Sequence, residues 1–128
     1  MIFENREHAG RLLAVGLSKL KLDKKSAIIA AIPRGGVVVG AILAKELALP
    51  LTALVVKKLG APTNPELAIG ATAAHGTPVL DRFLISDLGI GSDWLKKEIR
   101  TKKNEAAARE KLLGLSPSDS LFSGKVVI

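Results

Sequence analysis

Ala27-Ile28-Ile29-Ala30-Ala31-Ile32 is a continuous apolar run, Pro33-Arg34-Gly35-Gly36 interrupts it, and a second apolar segment extends from Val37 to Leu49. A run without polar alternation suits a strand covered on both faces, as in a parallel sheet flanked by helices. The interruption is then a strand-to-helix turn. Two consecutive glycines leave their peptide N–H groups free of any overlying side chain. At a helix N-terminus, unpaired donors and the macrodipole favour an anion. Arg34 adds a planar guanidinium suited to phosphate oxygens. Two readings follow from these four residues: a loop that holds a phosphate or pyrophosphate, or a tight turn with a solvated arginine. Neither the Walker A pattern nor G-x-G-x-x-G is present to decide between them.

Downstream, Leu51-Thr52-Ala53-Leu54-Val55-Val56 reads as a second strand, so strand, helix and strand form a βαβ unit. Its helix, apolar nearly all round, is expected to be buried and closed by Pro50. Lys57 and Lys58 then stand at the carboxyl end of the second strand, and the glycine-rich turn stands at the carboxyl end of the first. Open α/β sheets bind ligands at that edge, which places Arg34 and both lysines around one crevice. Leu59-Gly60-Ala61-Pro62-Thr63-Asn64-Pro65-Glu66 is rich in turn formers and reads as an exposed loop, of the kind that serves as a lid. Segments 67–74 and 77–80 read as a hairpin around His75-Gly76, which 82–85 extends or follows as a third short strand.

At the N-terminus, Asn5 is placed to cap a helix with Ala9, Leu12, Leu13, Leu17 and Leu20 at helical spacing, ending near Lys21 and packing on the sheet. Ser92 is placed to cap a long helix over 93–113, with Leu95, Ile99, Ala106 and Leu113 as a narrow apolar stripe and Trp94 packing on the sheet or hairpin. That helix carries seven lysines and arginines against four carboxylates, a net +3. Opposite charges are interspersed and Trp94 is its one aromatic residue, which favours a solvated face over a nucleic-acid interface. Segment 115–124, containing Pro117 and four serines, reads as a linker, and Lys125-Val126-Val127-Ile128 begins a third apolar strand. Two strands, a long helix and a cut strand make a poor complete domain, so residues 1–128 read as the N-terminal part of one longer α/β domain.

The bulk numbers agree with a globular chain: 128 residues, 48% hydrophobic and 24% charged. No cysteine is present, which removes disulfides and thiolate metal sites and fits a reducing cytoplasm. His8 and His75 are far apart with no neighbouring ligand pattern, so no protein-built metal site is expected. The first eleven residues lack the apolar core of a signal peptide. Lys45 and Glu46 interrupt the longest apolar stretch, short of the ~20 residues a membrane span needs. The net charge of +7 implies attraction to anions: phosphorylated metabolites, nucleic acid or acidic surfaces.

Ile32-Pro33-Arg34-Gly35-Gly36-Val37 and the stretch Val55-Val56-Lys57-Lys58-Leu59-Gly60-Ala61-Pro62-Thr63-Asn64-Pro65-Glu66-Leu67-Ala68-Ile69-Gly70-Ala71 resemble the type I phosphoribosyltransferases of bacteria and archaea. The opening Phe3-Glu4-Asn5-Arg6-Glu7-His8-Ala9-Gly10-Arg11-Leu12-Leu13-Ala14 resembles their N-terminal helix. The resemblance implies a parallel sheet flanked by helices with a small hairpin or hood insertion. It also implies an enzyme that uses phosphoribosyl pyrophosphate (PRPP) with substrate-bound Mg2+ to transfer ribose 5-phosphate to a nucleobase or related nitrogen acceptor.

Carried onto this sequence, Arg34, Gly35 and Gly36 resemble the pyrophosphate loop, with Lys57 and Lys58 as the basic residues approaching it and Arg34 and Lys57 in the catalytic role. Gly60, Ala61, Pro62, Asn64, Pro65 and Glu66 resemble the flexible or hood loop. The family's acidic pair followed by a Gly/Thr-rich phosphate turn is absent from the 128 residues, which implies that this chain is inactive alone. No general base is identifiable; Glu66 and Asp87 are candidates by type only. An RNA-binding regulator and a non-catalytic anion-binding or assembly module on the same scaffold are the alternatives. A homo-oligomer stays open.

Overall fold

A computed structural model of the chain describes residues 2–116 and 118–128. It is an α/β structure whose contacts divide it into two compact units, the first running to Leu54 and resuming over Ser120–Ile128, the second spanning Val55–Asp119.

In the first unit, helix α1 (Arg6–Ser18) begins at Asn5, whose side chain accepts from the His8 N–H at 2.8 Å, as expected of a capping residue. The helix stops at Ser18, short of Lys21, and packs on the second helix, not on the sheet. Small residues decide this: Gly10 and Ala14 form its buried face, and Gly10 approaches Ile42. Leu12, Leu13 and Leu20 of the expected apolar stripe are exposed as a result.

Strand β1 (Ala27–Ala31) is buried along nearly its whole length, as its apolar run requires. The 33–36 turn leads into helix α2 (Gly35–Leu47), and strand β2 (Leu51–Ala53) returns parallel to β1, pairing Ile29 with Leu51 and Ala31 with Ala53. The βαβ unit is therefore present. Glycine is needed at position 40 for close packing: a Cβ there would stand 2.8 Å from the Ala31 Cβ, so α2 lies directly on β1. Expected burial all round α2 is not observed. Only Gly40 and Leu43 are buried and Val38 is 42% exposed, because a helix on an open sheet covers one face only. Ala48, in the left-handed conformation with φ 53°, ends α2 before Pro50 is reached, and the Leu49 N–H bonds back to the Ala44 carbonyl.

The second unit opens with a correction. The expected strand over 51–56 stops at Ala53, and Lys57 begins a separate strand, β3 (Lys57–Ala61), antiparallel to β4 (Asn64–Thr72). The stretch expected as an exposed loop, 59–66, is thus mostly the turn and flanking strands of a hairpin. Pro62 and Thr63 form the turn, and the pairing slips so that Gly60 opposes Ala68 while Ala61 opposes Asn64. The slip leaves Pro65 and Glu66 outside the regular ladder, which is how a proline lacking a donor is tolerated in a strand.

Strand β5 (Val79–Leu80) pairs with β4 and completes the expected hairpin around His75-Gly76. Residues 82–85 belong not to a strand but to a short helix, α3 (Arg82–Asp87), capped by Asp81, whose side chain accepts from the Leu84 N–H at 2.9 Å. Helix α4 (Ser92–Leu112) matches the expected long helix, with Gly91 in the capping position and Ser92 as its first residue. Leu59, Ala61 and Ile69 form the core of this unit, and Trp94, Leu95 and Ile99 from α4 pack on it, as the apolar stripe foretold.

Helix α5 (Ser118–Phe122) occupies part of the segment expected as a linker; Pro117 in that segment lies outside the described residues. In the first unit, strand β6 (Val126–Val127) pairs parallel with β1, giving the sheet order β2-β1-β6. Its core is Ala14, Ala27, Ile29, Leu43 and Leu49, with Ile128 packed against it.

Candidate functional site

The turn that opens α2 is built from the end of β1 and the first residues of the helix. Arg34 occupies the capping position with helical torsions, φ −92° and ψ −50°, and its side chain makes no capping bond. The Pro33–Arg34 peptide is cis. Because the first amides of a helix have no intrahelical acceptor and the cap supplies none, the N–H groups of Gly35 and Gly36 are left as donors at the positive end of a 13-residue helix. Pro33 and Arg34 are both exposed, so the turn opens to solvent. This is where the sequence placed Arg34, Gly35 and Gly36, and the structure holds them together in one short loop.

A further residue joins them that sequence reasoning missed. The guanidinium of Arg6, the first residue of α1, lies across Gly35: a Cβ built there would stand 2.9 Å from the Arg6 Nε. Among the described residues, no carboxylate lies within ion-pair distance of Arg6 or Arg34; the neighbouring Glu7 pairs with Arg11 at 3.4 Å. Only the Asn5-Arg6 start of a capped helix was visible in the sequence, and nothing in that signal shows which loop the arginine reaches.

Lys57 and Lys58 belong to the second unit and do not act as a pair there. Successive residues of a strand face opposite sides of a sheet. Lys57 shares the face of buried Leu59 and Ala61 and meets Glu105 of α4 at 3.6 Å. Lys58 takes the other face, and its Nζ lies 3.1 Å from a Glu66 carboxylate oxygen. Each lysine is thus already neutralised by a glutamate. Gly60, Ala61, Pro62, Asn64, Pro65 and Glu66 make up the hairpin itself, where Asn64 accepts from the Glu66 N–H at 3.2 Å.

Around α4 the charges are knitted together. Lys102 contacts Glu105 at 3.0 Å and Glu98 at 3.8 Å. The hydrogen bond from Lys102 is the main cause holding the Glu105 carboxyl below its usual range, against a smaller opposing effect of burial, and the charges of Lys102 and Lys57 add to it. Lys102 is held above its ordinary value by the same bond. His75 lies 3.9 Å from Glu110, a residue only 7% exposed. Asp87 closes α3 on the surface. Among the described residues no group of three or more His, Cys, Asp or Glu is arranged to hold a metal ion, and no helix is long and apolar enough to cross a membrane.

No family model matches this sequence. Two Mycobacterium tuberculosis proteins, from strains CDC 1551 / Oshkosh and ATCC 25618 / H37Rv, are each 46% identical to it over 80 residues, and each bears the name "Putative phosphoribosyl transferase". The match takes in 62% of this chain, which spans 18% of the length of these curated relatives. The crystal structure of TT1426 from Thermus thermophilus shares 35% sequence identity and a TM-score of 0.68, covering 87% of this chain and 51% of that one. The chain is therefore similar in sequence to part of two proteins with a phosphoribosyltransferase name, and similar in fold to about half of a solved structure.

Proposed function

We propose that this chain supplies the pyrophosphate-binding loop of a type I phosphoribosyltransferase, an enzyme that uses PRPP and Mg2+ to transfer ribose 5-phosphate to a nucleobase or related nitrogen acceptor. The observation that carries this reading is the 33–36 loop. It offers two helix-terminal amides and arginines that no described carboxylate neutralises, in a chain similar to proteins named for that activity.

In such a reaction the bond from the anomeric carbon to the pyrophosphate oxygen breaks as the bond to the acceptor nitrogen forms. Negative charge grows on the departing diphosphate. Amides of Gly35 and Gly36 and the guanidinium of Arg34 are pre-positioned donors, and donors that meet charge where it develops lower the barrier more than they tighten substrate binding. The loop side chains are cationic and offer Mg2+ no ligand, so in this reading the metal is held through the substrate's own oxygens and no step is assigned to it. Lys57 and Lys58 enter this reading by resemblance, and each has to exchange a glutamate for a phosphate to take part. The cytoplasm is the compartment this reading implies, since PRPP is a metabolite of the cell interior.

Calorimetric titration of the full chain with inorganic pyrophosphate at low ionic strength tests the reading. Saturable binding is expected, weakened by roughly tenfold to a hundredfold in Arg34→Ala, the loss appropriate to charge-assisted hydrogen bonds. Absence of binding, or an affinity unchanged in Arg34→Ala, overturns it.

A further inference from the structure

Resting on the pyrophosphate reading of the 33–36 loop, we propose that Arg6 is a second anion-binding guanidinium of that site, and that position 35 is glycine because the Arg6 side chain has to lie across it. The geometry is specific. A Cβ on Gly35 would stand 2.9 Å from the Arg6 Nε, 3.2 Å from Nη2 and 3.4 Å from Cζ, so any side chain at 35 displaces the whole guanidinium.

Arg6 is not held there by an acid. Of the two glutamates beside it in sequence, Glu7 faces Arg11 at 3.4 Å and Glu4 faces His8 at 4.0 Å. The helix dipole gives no reason for its position either, since a cation at the first residue of α1 opposes the positive end of that helix. Arg6 therefore contributes a second positive charge to a four-residue loop that already carries Arg34 and the donor end of α2. Like charges gathered without a counter-charge repel one another, and a polyanion relieves that repulsion. A diphosphate, with oxygens on both phosphoryl groups, is large enough to take one guanidinium at each while accepting from the amides between them. Gly35 and Arg6 thus act as one device: the missing side chain makes the room and the arginine uses it.

The device is tested by pyrophosphate calorimetry on the full chain, with circular dichroism to confirm the fold of each variant. Arg6→Gln, which keeps length but not charge, is expected to weaken binding about tenfold, and Arg6→Lys about threefold, since lysine retains the charge without the planar fork. Gly35→Ala is expected to weaken binding about as much as Arg6→Gln, and the double variant no more than either single one, because both remove the same interaction.

If Arg34→Ala weakens binding while Arg6→Gln stays within twofold of the parent, the role of Arg6 is overturned and the reading of the loop stands. Full additivity of Arg6→Gln and Gly35→Ala overturns the coupling between them. Should the parent chain not bind pyrophosphate, both the loop reading and the role of Arg6 fall. If Gly35→Ala does not fold, the comparison of Arg6→Gln with Arg6→Lys decides alone, equal losses in the two marking a packing role and overturning the proposal.

Discussion

In the first unit Arg6 and Arg34 border a glycine-rich loop with no described carboxylate in reach, whereas in the second unit Lys57, Lys58 and Lys102 each face a glutamate at 3.6 Å or less. Both regions are rich in cations, yet they hold that charge in different states. A cation already facing a carboxylate gains little from a phosphate, because the new attraction replaces an old one. A guanidinium held near bare amides gains the full interaction. The chain's net charge of +7 is thus a poor guide to where it binds anions. Placement of the carboxylates is the better one, and it separates a binding loop from a charged scaffold.

The largest expected effect lies in what the second unit does instead of binding. Leu59, Ala61 and Ile69 are its buried core, and Trp94 packs on them. Replacing Ile69 with alanine removes buried methyl groups and leaves a cavity, at an expected cost of ~2–5 kcal/mol. Trp94, the sole tryptophan, reports this loss directly through its fluorescence in a denaturant titration. The exposed Arg34→Ala is expected to leave the same transition within about 0.5 kcal/mol of the parent. Equal destabilisation by both variants would erase the distinction between a packed scaffold and a solvent-facing loop.

A smaller effect separates the two kinds of cation. Lys58→Ala is expected to change pyrophosphate affinity by less than about threefold, since its ammonium is partnered by Glu66 and a surface ion pair is worth little either way. Set beside the tenfold or greater loss expected of Arg34→Ala, this gives a direct ratio. If the two variants lose affinity equally, the Lys58–Glu66 pair yields to ligand, and the role that resemblance assigns to Lys58 holds against its present partner.

Sequence signals that were local and strong are the ones the structure reproduces. An unbroken apolar run at 27–32 became β1, the turn at 33–36 became the start of α2, and the stripe of Leu95 and Ile99 became the face of α4 on the hairpin core. Signals that depend on partners were not legible. Val55 and Val56 continue an apolar run in the sequence, but the run does not reveal that pairing with β1 ends at Ala53 and that Lys57 joins a different sheet. Turn-forming residues at 60–66 suggested a loop, because an irregular pairing register that accommodates Pro65 leaves no mark in composition. Leu84 and Ile85 suggested a strand because Asp81 was not weighed as a helix cap. Of the candidate loop, Arg34, Gly35 and Gly36 were legible from glycine and arginine chemistry alone. Arg6 was not, since its contact with Gly35 spans 29 positions and is a product of tertiary packing.

The smallest effect belongs to the network around Glu105, and its pH dependence is the sharpest check on the second unit's compensated charge. Lys102 holds the folded Glu105 carboxyl below its ordinary value of 4.5, so the carboxylate contributes stability above that pH and loses it as pH falls through the folded value. Lys102 is held above its ordinary 10.5, so its contribution is complete below that pH and is lost as pH rises past it. Between these limits Glu105→Gln is expected to be less stable than the parent by under about 1 kcal/mol, a ceiling set by the exposure of both partners to water and salt. Below about pH 4 the two proteins should converge, because a protonated Glu105 resembles glutamine in charge. Added salt should narrow the gap at neutral pH for the same reason that it weakens any exposed pair. A gap that persists unchanged at acidic pH would assign Glu105 a packing role, and Lys57 and Lys102 would then stand as uncompensated as the arginines of the first unit.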